Sequence, residues 1–279
     1  MTRRIGAIIR ILRPVPATAA AVTVWIGAGL GPDRSAMDTP ETARLALMIF
    51  LAVAVANVYN DIRDITADVI NGRPRPIAQG RLSVGHGWRV LGACLVGSVL
   101  LGASVGWGIV VTDVVLIAAS LGYSRYVKGT VLWGNALVAL LGSVPILLGA
   151  LAGRAPVDRA VAAQALLFTY MFGYEVLKSL RDTTGDTAAG YVTVANRLGS
   201  RTTLAVWLTL SGAFIALSVG FGLGFHLDRH YFLLMLPAVD GTLAVVGIRV
   251  WTQRMTVARA VSFCTVAWLP GLLALGRLG

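Results

Sequence analysis

Apolar stretches long enough to cross a ~30 Å hydrocarbon core recur along the whole chain, separated by charged or Gly/Pro-rich breaks. They lie near 14–31, 43–60, 88–106, 109–124, 131–152, 161–179, 202–223, 231–249 and 258–276. The pattern predicts an all-α integral membrane protein of about nine transmembrane helices, organised as a single polytopic domain over 1–279. The fourth run is the weakest of the nine, because little more than 106–112 separates it from the third.

Composition agrees with this reading. Hydrophobic residues make up 56% of the chain and charged residues 13%, against about 25% charged in a soluble domain. The net charge of +11 belongs to topology and anionic headgroups rather than to nucleic acid, because no basic face is separable from the spans. With the amino terminus inside, eighteen Lys and Arg residues collect on the cytoplasmic side and six on the other. Such a split supports an odd number of spans, a cell-membrane location and a cytoplasmic amino terminus. Arg3, Arg4, Arg10 and Arg13 imitate a signal-peptide n-region, but read as the lead-in to a retained first helix. Cys94 and Cys264 lie inside apolar segments without CxxC spacing, so they imply neither disulfide nor thiolate metal site. His86, His226, His230 and the seven tryptophans fit interfacial positions.

The chemistry resides in two short segments that look alike. NDIRDITAD spans 60–68 and KSLRDTTGD spans 178–186. At an offset of 118 residues Arg63 matches Arg181, Asp64 matches Asp182, Thr66 matches Thr184 and Asp68 matches Asp186. Each segment closes an apolar run, the second and the sixth. An even number of crossings separates them, which predicts a parallel internal pseudo-repeat with both segments at one membrane depth. Residues four apart share a helix face. Asn60, Asp64 and Asp68 therefore form one polar stripe, and Lys178, Asp182 and Asp186 another. Carboxylates that converge in a partly dehydrated site repel unless a cation lies between them. Hard oxygen donors in that number select Mg²⁺, completed by substrate phosphate.

Basic residues supply the complement. The loop NGRPRPIAQGRLS at 71–83 brings Arg73, Arg75 and Arg81, and Lys128 follows the fourth run. Guanidinium forks suit phosphate oxygens. A metal ion bridging carboxylates to a diphosphate would stabilise charge as a C–O bond breaks. An apolar interior would then shield the resulting carbocation from water.

Taken together these residues resemble the UbiA superfamily of membrane prenyltransferases. Its NDxxDxxxD motif followed by RPxxxGR is matched by Asn60, Asp61, Asp64, Asp68, Arg75, Pro76, Gly80 and Arg81, and its DxxxD motif by Asp182 and Asp186. YSRYVKGTVLWGNALVALLGSVPILLG resembles a further stretch through Tyr123, Lys128 and Asn135, and RILRPVPA resembles the first-helix entry through Arg13.

The resemblance implies a nine-helix bundle around a central cavity with cytoplasmic cap loops. It implies two Mg²⁺ ions on Asn60, Asp64, Asp68, Asp182 and Asp186, with Lys128, Arg75 and Arg81 toward the diphosphate. Asp61, Tyr123, Asn135, Arg13, Glu175 and Lys178 join as substrate-binding residues. EVLKSLRDTTGD at 175–186 looks more like the branch containing geranylgeranylglyceryl-phosphate, homogentisate and chlorophyll-type enzymes than the 4-hydroxybenzoate branch. The expected activity is transfer of an isoprenyl group from an allylic prenyl diphosphate to an aromatic or quinone-precursor acceptor, on the cytoplasmic side of the membrane. Alternatives are a glycerol-phosphate-type lipid acceptor, or cyclisation of the diphosphate alone. An ion-coupled transporter is the non-enzymatic alternative; it would place acids near the bilayer centre rather than at helix ends.

Overall fold

A computed structural model describes residues 2–279, with side chains from residue 5 onward. The side chains of Arg3 and Arg4 lie outside the described residues. Among the described residues the chain is helical throughout, with no strand. Helices α1 (Thr2–Ile11) and α2 (Pro14–Ala28) meet at a 52° bend. Pro14 begins α2, and Arg13 ahead of it takes a left-handed conformation at φ 51°, uncommon for a residue with a side chain. In that pose its guanidinium reaches Asp61.

Next come α3 (Pro40–Arg63), the short α4 (Ile65–Ile70), α5 (Val84–Val105) and α6 (Trp107–Gly122). The Thr39 hydroxyl accepts from the Thr42 N–H and starts α3, with Pro40 and Glu41 in its first turn. Ser83 caps α5 the same way through the His86 N–H. A wider, π-helical turn over Tyr123–Val127 ends the fourth span, closed by the Lys128 N–H on the Tyr123 carbonyl. Helices α7 (Trp133–Ala152), α8 (Val157–Ala188), α9 (Val194–Gly224), α10 (Arg229–Met235), α11 (Gly241–Trp251) and α12 (Val257–Leu275) complete the chain. A second π turn, Leu236–Asp240, joins α10 to α11 at Pro237; proline has no N–H to give to the regular ladder.

Among the described residues eight helical stretches are long and apolar enough to span a membrane, or up to nine with the bent α1–α2 pair taken as one span, in agreement with the nine runs read from sequence. Large apolar side chains such as Trp107, 77% exposed, and Val266, 68% exposed, cover the outer surface, where lipid is their natural neighbour. The protein is a multi-pass integral membrane protein.

Packing gathers α2, α3, α7 and α8 around the ends that carry the motifs. α3 also packs on α5, α2 packs on α3 and α7, and α8 packs on α7 and α9. At the ends of α2 and α7 remote from Arg13 and Lys128 the backbones touch. A Cβ added to Gly149 would lie 1.9 Å from the Val24 carbonyl oxygen, and one on Gly27 2.1 Å from that of Ile146. Only glycine permits that approach, and close small-residue contact is how helices adhere without a hydrophobic driving force between them. Farther from the motifs, Ser98 bonds Asp113 at 2.8 Å and Ser218 bonds Asp240 at 2.8 Å, each pair joining neighbouring helices inside the bundle.

Candidate active site

The first acidic segment does not form one continuous helix. α3 stops at Arg63, Asp64 has φ −98° and ψ 14°, and α4 resumes at Ile65. The expected stripe of Asn60, Asp64 and Asp68 is thereby bent. Its members still face one region, but through different partners. Asn60 accepts a hydrogen bond from the Ser124 hydroxyl. Asp64 pairs through Oδ2 with Lys128 and accepts through Oδ1 from the Tyr191 hydroxyl at 2.9 Å.

Asp61, fully buried, pairs with Arg13, and Arg75 Nε stands 3.8 Å from its Oδ1. Burial, with Arg13 beside it, pulls the Arg75 guanidinium below its ordinary value. Asp68, on α4, forms no ion pair among the described residues, and its Oδ2, like Asp61 Oδ2, is buried without a hydrogen-bond partner. Burial pushes its carboxyl above the ordinary range, with Arg75 partly offsetting this.

The second segment stays helical to the end of α8. Asp182 Oδ1 pairs with Arg73 and also accepts from Arg181 Nε at 2.9 Å, while its Oδ2 accepts from Arg181 at 3.1 Å. Lys178 donates to Glu175 at 2.6 Å and rests 5.5 Å from the centre of the Tyr174 ring. The charges acting on Asp186 come from Lys128, Asp182, Asp64 and Lys178, so Lys128 stands between the two segments. Asp186 itself makes no ion pair among the described residues.

Three direct contacts fasten the segments together. Arg73, in the loop after the first, pairs with Asp182 of the second. Asn71 accepts from the Gly185 N–H at 3.0 Å. The Tyr191 hydroxyl, in the loop after the second, donates to Asp64. A Cβ on Gly185 would come within 2.1 Å of the Asn71 amide, so glycine is what lets that loop dock on α8.

Two expected site residues form no hydrogen bond or ion pair with the acids among the described residues. Arg81 is exposed and forms no ion pair among the described residues. Asn135, half-buried on the first turn of α7, makes no hydrogen bond to the acids. Tyr123 closes α6 among Glu175, Asp64, Asp186 and Tyr191. Sequence reasoning passed over Tyr191, Ser124 and Asn71; their partners lie 127, 64 and 114 residues away, and no local spacing announces them.

The acids do not close into a ready-made cage. Among the described residues no three Asp, Glu, His or Cys side chains group tightly enough to hold a metal ion. Asp64 and Asp182 are each paired with a basic side chain instead, Lys128 and Arg73 respectively. Like charges repel in a partly dehydrated site, and each carboxylate settles on the nearest cation. The donor set nonetheless fits a hard divalent ion: all donors are oxygens, and Asp68 Oδ2 and Asp186 lack basic partners at matched positions of the two segments. Two small cavities flank Tyr170, one between α8, α9, α11 and α12 that reaches Tyr174, the other between α8, α9, α10, the π turn after it and α12.

Comparison with known proteins shows where this arrangement occurs. A model described as the UbiA prenyltransferase family matches residues 15–269. A digeranylgeranylglyceryl phosphate synthase from Methanoculleus marisnigri is 31% identical over 220 residues, 78% of either chain. One from Methanopyrus kandleri is 31% identical over 283 residues, 96% of this chain and 97% of that one. Among solved structures, a UbiA homologue from Archaeoglobus fulgidus bound to GPP and Mg²⁺ superposes with a TM-score of 0.71 at 17% identity, covering 96% of this chain and 99% of the other. That likeness is one of fold.

Proposed function

The chain belongs to the UbiA prenyltransferase family, and from that premise we propose that it transfers an isoprenyl group from an allylic prenyl diphosphate to the hydroxyl of a glycerol-phosphate-type lipid. The observation that carries this reading is the junction of the two acidic segments through Arg73–Asp182 and Tyr191–Asp64, which assembles oxygen donors and cations from opposite halves of the chain. The choice of acceptor rests on the relatives, which are named for digeranylgeranylglyceryl phosphate. It replaces the aromatic or quinone-precursor acceptor expected first from sequence with the lipid acceptor that was its alternative.

In this mechanism Asn60, Asp64, Asp68, Asp182 and Asp186 would hold Mg²⁺. A divalent ion bound there offsets the charge that builds on the departing diphosphate. Lys128 and Arg75 supply further positive charge to the phosphate oxygens, Lys128 leaving Asp64 to do so. The bond from the prenyl C1 to the diphosphate oxygen breaks, the acceptor hydroxyl oxygen bonds to C1, and its proton departs. Glu175 and Lys178 line the acceptor side, joined at 2.6 Å. The apolar bundle keeps water from the cation. The amino terminus and the acids face the cytoplasm, supported by eighteen basic residues on that side against six.

Purified protein in lipid, given Mg²⁺ and geranylgeranyl diphosphate, should yield a prenylated ether lipid with a prenylglyceryl phosphate acceptor and none with 4-hydroxybenzoate. Mass spectrometry reads the outcome. Diphosphate release with no ether product, or a cyclised hydrocarbon without acceptor, would overturn the reading.

A further inference from the structure

Tyr191 belongs to neither acidic segment, yet it touches the central pair of the site in two ways. Its hydroxyl donates to Asp64 Oδ1 at 2.9 Å, and its ring lies 4.6 Å beneath Lys128 Nζ, while Lys128 itself pairs with Asp64 Oδ2. The backbone around it is fixed. Its N–H donates to the Asp186 carbonyl at 2.9 Å, and its own carbonyl accepts from the Asn196 amide at 2.6 Å. Asn196 in turn completes the capping box that starts α9. A single residue thus ties the last acid of the second segment to the central acid of the first.

We propose that Tyr191 is a positioning residue with two separable tasks: its hydroxyl holds Asp64 oriented for a divalent cation, and its ring gives the Lys128 ammonium a second resting place as it turns from Asp64 to the diphosphate. The inference rests on the diphosphate reading of the site. A hydrogen bond on one carboxylate oxygen leaves the other free to change partners without rotation of the group. An aromatic face holds an ammonium without competing for its hydrogen bonds.

The two tasks are separated by Tyr191→Phe, which keeps the ring, and Tyr191→Leu, which removes both. In lipid nanodiscs, Mg²⁺ binding measured by titration calorimetry without substrate should weaken about tenfold in Tyr191→Phe, with KM for geranylgeranyl diphosphate within about twofold of the parent. Tyr191→Leu should add a rise of about fivefold in that KM. If Tyr191→Phe binds Mg²⁺ like the parent, the inference fails. It fails equally if both variants lose Mg²⁺ affinity and KM in parallel with a lowered Tm, the signature of a purely architectural residue. If the parent protein binds neither Mg²⁺ nor inorganic pyrophosphate, the diphosphate reading falls first and takes this inference with it.

Discussion

The two acidic segments share a sequence pattern but not a backbone. At the first, the helix breaks at Asp64 and turns into a short α4 and a loop; at the second, α8 runs unbroken through Asp186. Their partners differ accordingly. Asp64 is held by residues from other parts of the chain, Lys128 and Tyr191, whereas Asp182 takes two bonds from Arg181 beside it and one from Arg73 across the junction. One wall is a continuous helix and the other is a broken one. The last acid of each, Asp68 and Asp186, is left without a basic partner on either wall. Like sequence therefore brings like groups to the two helix ends, and unlike backbone gives them different partners.

Several substitutions test that contrast. The largest expected effect comes from removing the central acid of either wall. Asp64→Ala and Asp182→Ala should each lower prenyl transfer by about a thousandfold, if both walls grip one diphosphate. A loss confined to one of them, measured by product formation at saturating substrate, would show that the walls do not share a ligand. A smaller effect follows from prising the walls apart. Gly185→Val puts methyl groups where the Asn71 amide docks and should cut turnover about tenfold, with little change in Tm. The smallest effect separates paired from unpaired acids in thermal unfolding without substrate. Asp182→Asn leaves Arg73 and Arg181 short of a counter-charge and should destabilise by about 1–2 kcal/mol. Asp68→Asn relieves a buried, unpartnered carboxylate and should stabilise by about 1 kcal/mol. Equal shifts in one direction would erase the distinction between them.

Much of this was legible in the sequence because membranes impose strong local rules. Nine apolar runs gave the spans, since backbone groups in lipid must satisfy themselves within a helix. The acids were legible because charges at the ends of apolar helices are rare enough to read as function. What escaped was everything decided by tertiary contact. Tyr191 in GYVT looks like any loop tyrosine until Asp64, 127 residues earlier, comes to it. The break at Asp64 carries no glycine or proline to announce it. Arg81, placed with the phosphate ligands by its motif, is exposed and forms no ion pair among the described residues, which its motif does not announce.

The contact of Gly149 with Val24 and of Gly27 with Ile146 lies at the ends of α2 and α7 remote from the acids. Main chain lies on main chain there, so the two helices are locked at that end by a contact with no side chain in it, and any residue larger than glycine at either position would have to push the helices apart.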